Sequence, residues 1–344
     1  MEGWAMSRPD VFIEAGASQD SDQEELKRLM GRSQAIQDLS QAVEQIARTD
    51  YTVVLQGETG TGKEVLARQI HRRSRRKAMT FLGVDCGAMP GSLFESELFG
   101  HEKGAFTGAD SKSQGLLAVA RGGTLLLDEI TGLTPDMQRK FLRTLEEKAF
   151  LPIGEKKPVP MDVRILVASN VALEDEVKKG NFRADLYHRL SEFTIQIPPL
   201  RERKDDIPCL ADRFREETNA ELNKEVLGFS KEAMDILVAY PFPGNVRELR
   251  NIVRRAMLLA ERDIGPEHLP FTKGSGGVQG HLDIESWLQE GLSLREMIRR
   301  IIDQVEREAI QRALTLSKNN RARAARALRI DRNTFYRKMK GCGF

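Results

Sequence analysis

The feature that most constrains the fold is a glycine-rich octapeptide, Gly57–Glu64, set between two regular segments. It follows the short apolar segment Tyr51–Gln56 and precedes residues with helical periodicity. A loop that leaves a strand and opens a helix in this way is typical of phosphate-binding loops, whose backbone N–H groups converge on phosphate oxygens. Strand, loop and helix in this order indicate an α/β unit.

The α/β pattern continues along the chain. Short apolar segments with strand character occur at Phe81–Val84, Thr124–Leu127, Val163–Ala168 and Phe193–Ile197. Helical patterns lie between them, and residues 33–48 also repeat their apolar positions at helical spacing. The alternation predicts a parallel sheet covered by helices on both faces. From Asp205 to about Leu269 the strands stop and helices dominate, which indicates a separate helical subdomain.

Composition and cysteine usage exclude several classes of protein. No uninterrupted apolar run reaches the length of a membrane span, so we expect no membrane partner. The N-terminus lacks the apolar core of a signal peptide. Cys86, Cys209 and Cys342 are odd in number and far apart, which fits neither a disulfide framework nor a zinc site. We therefore expect a cytoplasmic protein in a reducing compartment.

The octapeptide is the candidate ATP site. Its members are Gly57, Glu58, Thr59, Gly60, Thr61, Gly62, Lys63 and Glu64. Lys63 would reach the terminal phosphates. Glu64 stands where Ser or Thr is usual, so the hydroxyl that commonly binds Mg²⁺ is missing. The alternative is a glycine-rich turn with a surface lysine, which the flanking strand and helix disfavour.

Two carboxylates follow the apolar segment that ends at Leu127. Asp128 would hold Mg²⁺, directly or through water, and Glu129 would orient and polarise the attacking water for phosphoryl transfer. An Asp-Glu pair can also be a plain strand end. Together with the octapeptide, the pair indicates an ATPase.

A second glycine-flanked loop separates these two motifs. It consists of Gly104, Ala105, Phe106, Thr107, Gly108 and Ala109. Nothing in the loop repeats at helical or strand period, and glycine tolerates backbone angles that other residues avoid. We expect the loop to present Phe106 to a partner protein. The alternative is that Phe106 is a core residue beneath the loop.

These motifs resemble those of the bacterial enhancer-binding proteins, the AAA+ activators of sigma-54 RNA polymerase. The resemblance runs from about Leu29 to Phe344, and the hexapeptide 104–109 and the preceding Glu97–Glu102 carry it most specifically. It implies an AAA+ fold with a helical lid, a homo-oligomer between dimer and hexamer, and a loop that docks on sigma-54 in the RNA polymerase holoenzyme. In that family ATP hydrolysis moves the loop and opens the promoter complex.

The resemblance also assigns roles to four residues outside the main motifs. Asn170 matches the first sensor and would face the terminal phosphate. Arg183 and Arg189 match the arginine-finger segment, which reaches into the neighbouring subunit's nucleotide site, although both could instead form surface ion pairs. Arg247 matches the second sensor, which touches phosphate from the lid.

Three positions depart from the family pattern. Asp85 stands where many members have an Asn that holds the catalytic Glu aside. A carboxylate there would repel Glu129 unless one of the two is protonated or the pair is bridged. Pro152 begins a Pro-Ile-Gly sequence in place of the commoner Arg-Val-Gly, so its coupling to the Phe106 loop is expected to differ. Phe242 replaces a Trp, which is an apolar substitution.

The C-terminal end is basic and helical. From Ser317 to Phe344 nine Lys and Arg residues face a single acidic residue, Asp331, which suggests a nucleic-acid contact confined to this end. Residues 294–314 form an amphipathic pattern suited to pairing with a second copy. The small and apolar residues that follow resemble a Fis-like helix-turn-helix, whose recognition helix would begin at Arg332.

The candidate DNA contacts divide into two groups. Base contacts are expected from Arg332, Asn333, Thr334, Tyr336 and Arg337. Phosphate contacts are expected from Arg321, Arg323, Lys338 and Lys340. The alternative is a solvated basic tail without specific binding.

The expected organisation has five parts. These are a flexible tail at 1–28, an AAA+ α/β ATPase subdomain at 29–200, a helical lid at 201–272, a flexible linker at 273–282 and the helix-turn-helix at 283–344. The tail is too short for a regulatory domain, so control is expected from a separate regulatory protein, from expression level or from a domain outside this chain.

The sequence therefore predicts an ATP-dependent activator that binds double-stranded, enhancer-like DNA and remodels the sigma-54 polymerase closed complex. Two rivals stay open: a nucleotide-gated repressor, and an AAA+ remodeller of another protein.

Overall fold

A computed structural model describes residues 11–14, 22–106 and 111–271, with side chains described from residue 25 onward. Beyond residue 271 it describes Glu296, Ile310, Ala313, Arg321, Arg323, Ala324, Phe335 and Met339. The chain divides into two compact units, Met1–Ser275 and Gly276–Phe344.

The strands of the first unit build one large sheet and three small ones. In chain order they are β1 Val11–Glu14, β2 Val53–Gln56, β3 Phe81–Asp85, β4 Gly100–His101, β5 Ser113–Gln114, β6 Thr124–Asp128, β7 Ala149–Phe150, β8 Val159–Pro160, β9 Arg164–Ser169, β10 Phe193–Gln196, β11 Gly228–Phe229 and β12 Asp263–Ile264. The large sheet has the order β1-β3-β6-β9-β2-β10. Its last five strands in that order are parallel, which confirms the predicted sheet.

The α-helices of the first unit lie between these strands and in the lid. In chain order they are α1 Asp22–Met30, α2 Gln34–Ala47, α3 Lys63–Arg72, α4 Gly91–Phe99, α5 Leu116–Val119, α6 Pro135–Glu147, α7 Leu173–Lys178, α8 Ala184–Leu190, α9 Ile207–Leu222, α10 Lys231–Ala239 and α11 Asn245–Leu259. Short 3₁₀ turns occupy Ile130–Gly132, Leu200–Glu202, Lys204–Asp206 and Pro266–His268. None of the described helices is long and apolar enough to cross a membrane.

Both faces of the large sheet are buried. Successive residues of a strand point to opposite faces, and in β6 Leu125 and Leu127 enter one apolar cluster while Leu126 enters the other. The first cluster includes residues of α4 to α8, and the second includes residues of α1, α2 and α3. This two-sided burial explains why the strands are continuous apolar runs.

The N-terminal segment corrects one expectation. Residues 1–28 were expected to be a loose tail, but β1 pairs antiparallel with β3 at the sheet edge and α1 begins at Asp22. Leu26 and Met30, one helical turn apart, are buried in the cluster of α2 and α3. Because most residues around Leu26 and Met30 are polar, the composition of this segment did not predict a buried helix.

The lid has its own apolar cluster, built from α9, α10 and α11. It also contains the parallel pair β11 and β12, which the sequence analysis did not predict because each strand has two residues. The helical character of this region is otherwise confirmed. In the second unit, Ile310, Ala313, Ala324, Phe335 and Met339 form a buried cluster. The predicted linker 273–282 lies outside the described residues.

Candidate functional site

The octapeptide connects β2 to α3 at the carboxyl edge of the sheet. Gly60 and Gly62 have φ values of 80° and 106°, in the left-handed region where a side chain would be strained. Lys63, the first residue of α3, is buried, and its Nζ donates to the carbonyls of Gly57 and Glu58 at 2.8 and 3.2 Å. The loop therefore has the strand-turn-helix geometry that phosphate binding needs.

Electrostatics connect this lysine with the acidic end of β6, which is separated from β2 in the sheet by β9. Burial lowers the pKa of Lys63, while the negative charges of Asp128 and Glu129 oppose that shift. Burial likewise raises the pKa of Asp128, against the charge of Lys63 and a hydrogen bond from the Glu129 backbone N–H. A bound cation would favour the ionised form of Asp128, so this half-buried carboxylate fits Mg²⁺.

Asp85 adds a third carboxylate to this edge. It ends β3 and lies in register with Asp128, and its Oδ1 accepts a 2.7 Å hydrogen bond from the backbone N–H of Gly87. A Cβ placed on Gly87 would lie 3.1 Å from Oε2 of Glu129 and 3.4 Å from Oδ1 of Asp85. Both carboxylates thus approach the same glycine, in a space that a side chain would crowd.

Glu129 is held in an unusual backbone conformation. Its φ of 52° is left-handed, and it begins the 3₁₀ turn Ile130–Gly132 directly after β6. A non-glycine residue there costs about 1 kcal/mol. The sharp turn directs the side chain away from the strand, toward Gly87.

Glu64 occupies the position of the missing hydroxyl. Its Oε1 accepts hydrogen bonds from Arg68 at 3.0 and 2.8 Å, one turn further along α3. The carboxylate is therefore paired along the helix. Its negative charge adds to the rise in the pKa of Asp128.

The first sensor candidate follows β9. Asn170 is exposed, and the preceding Ser169 accepts a 3.1 Å hydrogen bond from the Gly57 N–H through its backbone carbonyl. This bond fixes the end of β9 beside the start of the phosphate loop. Asn170 is thus adjacent to that loop.

The arginine-finger candidates lie at either end of α8, and both are exposed. Arg183 forms a two-bond ion pair with Asp185 at 3.0 and 2.7 Å, which raises the pKa of the guanidinium. Arg189 donates to the carbonyl of Leu145 at 3.2 Å. The described contacts of both arginines are with residues of their own subdomain. Both side chains are exposed at its surface.

The start of the lid helix α11 lies directly on the phosphate loop. The Val246 N–H donates to the Gly60 carbonyl at 3.0 Å, and a Cβ on Gly60 would lie 3.1 Å from the Cβ of Arg247. The positive charge of Arg247 acts to lower the pKa of Lys63. Arg247 therefore lies beside the phosphate loop.

Sequence reasoning missed two residues at this junction, Arg201 and Asn245. Arg201 pairs with Glu58 although 143 positions separate them, and Asn245 donates to the same carboxylate. Nothing in local periodicity reports a contact over such a distance. The only sequence signal is the run of alternating charges around Arg201, which by itself reads as solvated surface.

The Phe106 loop is described only for its first half. It extends from the β4–β5 hairpin, and Gly104 has a φ of 79° and open space where a Cβ would lie. Phe106 is 45% exposed, and its ring contacts the edge of His101 at 5.0 Å between centroids. Phe106 is thus a surface residue rather than a core residue. Thr107, Gly108 and Ala109 lie outside the described residues.

A second hairpin, β7–β8, supports the base of this loop. The Ile153 N–H donates to the Gly100 carbonyl, and the Glu102 N–H donates to the Ile153 carbonyl, both at 2.9 Å. Gly154 has φ of 83°, and a Cβ there would lie 3.0 Å from the Cβ of Ala105. Pro152, which departs from the family pattern, therefore lies next to the backbone hydrogen bonds between the β4–β5 and β7–β8 hairpins.

An open cleft of about 500 Å³ lies between α4, α6 and the 149–158 segment, away from the phosphate loop. Its charged lining includes ion pairs of its own, Lys140 with Glu95 and Arg143 with Glu147. The nucleotide assignment therefore depends on loop geometry and charge rather than on cavity volume.

Two DNA-contact candidates fall within the described positions. Arg321 and Arg323 are helical and exposed. The other seven candidates lie outside the described residues: Arg332, Asn333, Thr334, Tyr336, Arg337, Lys338 and Lys340.

Three protein families match consecutive parts of the chain. The Sigma-54 interaction domain matches residues 29–196, the AAA+ ATPase lid domain matches 201–280, and the Fis family of bacterial regulatory proteins matches 301–341. The three matches follow one another along the chain in the predicted order of ATPase subdomain, lid and helix-turn-helix.

Individual relatives agree. The chain is 40% identical to the transcriptional regulatory protein ZraR of Salmonella typhimurium, over 90% of this chain and 68% of that protein. It is 40% identical to the phenol regulator MopR of Acinetobacter guillouiae, over 90% of this chain and 55% of that protein. Identity to the DNA-binding transcriptional regulator NtrC of Rhizobium meliloti is 37%, over 92% and 69%. The chain thus spans roughly half to two thirds of these proteins.

Solved structures agree as well. Crystal structures of NtrX from Brucella abortus in complex with ADP and with ATP match at TM-scores of 0.67 and 0.66, each with 31% identity over 93% of this chain. They cover 72% and 71% of those chains.

Proposed function

The chain belongs to the sigma-54-dependent AAA+ transcription activators, and from this premise we propose that it hydrolyses ATP to remodel the closed complex of sigma-54 RNA polymerase. The observation that carries the proposal is the exposed Phe106, on a loop inserted between the phosphate loop and the acidic edge of one ATPase subdomain. ATP hydrolysis at the nucleotide site would move this loop while it contacts sigma-54.

The nucleotide would bind with its phosphates on the octapeptide, Gly57 to Glu64. The buried Lys63 would exchange its bonds to the Gly57 and Glu58 carbonyls for the terminal phosphates. Mg²⁺ held by Asp128 would offset the negative charge of the phosphates. The Glu129 carboxylate would accept a hydrogen bond from the attacking water, fix its direction and take up its proton.

Three further residues would complete the site. Asn170 and Arg247 would contact the terminal phosphate from the sheet edge and from the lid. Arg183 or Arg189 of a neighbouring copy would offset the charge that develops on the transferred group. The ion pair of Arg183 with Asp185 would then open as the ring assembles, so the site is complete only in a homo-oligomer, which we propose to be a hexamer built from dimers.

The C-terminal unit would place this ATPase on DNA. Arg332, Asn333, Thr334, Tyr336 and Arg337 would read base edges of an enhancer-like site, and four other basic residues would bind phosphates. Those four are Arg321, Arg323, Lys338 and Lys340. We propose that the protein acts in the bacterial cytoplasm, under a separate regulatory protein. The proposed parts are residues 29–200, 201–272, 273–282 and 283–344.

The test is transcription from a sigma-54 promoter with purified holoenzyme and ATP. Phe106→Ala should hydrolyse ATP at nearly the wild-type rate but fail to open the promoter, because it removes the contact and leaves the ATP site intact. Tyr51→Ala is the matched control, since Tyr51 is an exposed aromatic residue of the same subdomain, at 56% exposure. It should open the promoter normally.

Two outcomes would contradict the proposal. Promoter opening by Phe106→Ala at the wild-type level would remove the loop from the mechanism. ATP consumption by the wild type without opening would favour remodelling of another target protein.

A further inference from the structure

The outer side of the phosphate loop is held by residues of the lid and its junction with the sheet subdomain. We propose that Arg201 and Asn245 are positioning residues for ATP hydrolysis: they clamp the phosphate-loop residue Glu58 and thereby place Arg247 of the lid at the terminal phosphate. The inference rests on the proposed ATPase function and adds a route by which the nucleotide site and the lid move together.

The first half of the clamp is an ion pair. Arg201, in the turn that leads into the lid, donates from Nη1 and Nη2 to the two carboxylate oxygens of Glu58, at 2.8 and 2.7 Å. A two-bond pair of this kind fixes orientation as well as distance. Arg201, followed by Asn245, lowers the pKa of Glu58, so the carboxylate is charged when it is clamped.

The second half is the fully buried Asn245. Its amide nitrogen donates to Oε2 of Glu58 and to the Thr59 carbonyl, both at 3.1 Å, and its amide oxygen accepts from the Leu200 N–H at 2.8 Å. The residue has a left-handed φ of 50° at the first position of α11. One side chain therefore joins the phosphate loop, the junction and the lid helix.

Arg247 follows two residues later on the same helix. The intervening Val246 N–H donates to the Gly60 carbonyl, and Gly60 has no room for a Cβ, which would lie 2.4 Å from the Gly244 carbonyl oxygen. The start of α11 is thus packed onto residues 58–60. A shift of the phosphate loop on nucleotide binding must move this helix end, and Arg247 with it, as long as the clamp is closed.

A purely structural role is the competing explanation. The Arg201 and Glu58 side chains are 43% and 41% exposed, and exposed ion pairs contribute little to stability. Loss of the pair should therefore leave thermal stability nearly unchanged. A kinetic effect then reports positioning rather than unfolding.

The kinetic test is a double-mutant cycle on steady-state ATP hydrolysis by the full chain. Arg201→Met should lower kcat/KM about fivefold or more, because the lid arginine is no longer held in place. In an Arg247→Ala background the same substitution should change the rate by less than about twofold, since the group that it positions is gone. Multiplicative effects of the two substitutions, or a wild-type rate for Arg201→Met, would overturn the proposal.

Two further variants support the double-mutant cycle, one as a replacement and one as a control. Glu58→Gln removes the negative charge of the partner of Arg201 without changing the size of the side chain. If Arg201→Met fails to fold, Glu58→Gln takes its place in the cycle, and it should show the same loss of kcat/KM and the same dependence on Arg247. Arg254→Met is the control, because Arg254 pairs with Glu221 on the exposed surface of the lid. It should hydrolyse ATP at the wild-type rate.

Hydrogen exchange separates this inference from the ATPase proposal. With ADP as the probe, wild-type protein should gain protection in both the phosphate loop and residues 245–249. Arg201→Met should gain protection in the phosphate loop alone. Protection of both segments in the variant would refute the clamp while leaving the nucleotide site intact. Protection of neither segment in the wild type would refute both.

Discussion

At the scale of single residues, the carboxylates of the candidate site lie where β3 and β6 end. Asp85 and Asp128 are adjacent in register, and Glu129 turns toward Gly87 through a left-handed backbone. Three carboxylates therefore lie close together, and two of them, Asp128 and Glu129, act electrostatically on the buried Lys63. Such an excess of negative charge fits a site whose ligand brings Mg²⁺.

Glu129→Gln is the first residue-scale prediction. The amide keeps the shape of the side chain but is a poor proton acceptor, so hydrolysis should fall by about 100-fold or more. Binding of a fluorescent ATP analogue should be retained, whereas Lys63→Ala should lose it. Continued turnover by Glu129→Gln would assign the role of the base to another residue.

Asp85→Asn is the second residue-scale prediction. An amide at position 85 could donate to the Glu129 carboxylate instead of repelling it, and a hydrogen bond to a charged group contributes about 1.5 kcal/mol. Holding Glu129 in this way should lower basal ATP hydrolysis by about tenfold. Asp38→Asn, on the exposed side of α2, is the control. Basal hydrolysis equal to that of the wild type would show that Asp85 does not influence Glu129.

At the scale of elements, the two hairpins act as a unit. The β7–β8 insertion is hydrogen-bonded to the β4–β5 hairpin through Ile153, and Gly154 packs on Ala105 at the base of the Phe106 loop. The lid makes an equivalent contact on the phosphate loop through the start of α11. These backbone contacts therefore join the two hairpins to each other and the lid helix to the phosphate loop.

Gly154→Ala is the element-scale prediction. The new Cβ would press on Ala105 and displace the Phe106 loop, so promoter opening should fall by about fivefold while ATP hydrolysis is unchanged. Gly180→Ala is the matched control, because Gly180 has a similar φ of 77° but open space around it. Equal losses in the two variants would indicate backbone strain, about 1 kcal/mol, rather than the contact with Ala105.

At the scale of the whole molecule, the chain consists of two compact units with separate apolar clusters. The first unit contains the candidate nucleotide site and the described part of the Phe106 loop. The second unit contains the described basic residues Arg321 and Arg323. ATP hydrolysis and DNA binding should therefore be separable.

Deletion of residues 281–344 is the whole-molecule prediction. Specific DNA binding, measured by gel shift against enhancer-like fragments, should be lost, because the predicted contacts are removed. ATP hydrolysis should stay within about twofold of wild type, since the apolar clusters of the first unit are intact. Loss of hydrolysis as well would mean that the C-terminal unit is needed for assembly of the ring.

The sequence by itself determined the features that are contiguous along the chain. Apolar runs predicted the five parallel strands, and helical periodicity predicted the helices of the lid. Short motifs predicted the candidate phosphate loop, the Asp128–Glu129 pair and the Phe106 loop, whose roles stay predictions. The predicted bounds of these five strands agree with the observed ones within two residues, because each signal is local. The family resemblance extended the prediction to Arg247, which lies beside the phosphate loop.

Only the tertiary structure decided the contacts between distant residues. The clamp of Arg201 and Asn245 on Glu58, the approach of Glu129 to Gly87 and the packing of Gly154 on Ala105 join segments without a shared pattern. The edge strand β1 likewise depends on β3, a partner far along the chain, since Val11 pairs with Val84 and Glu14 with Phe81. Such contacts depend on the geometry of the packed chain, because the charged groups and the available space become complementary only after folding. A periodic pattern along the sequence therefore cannot predict them.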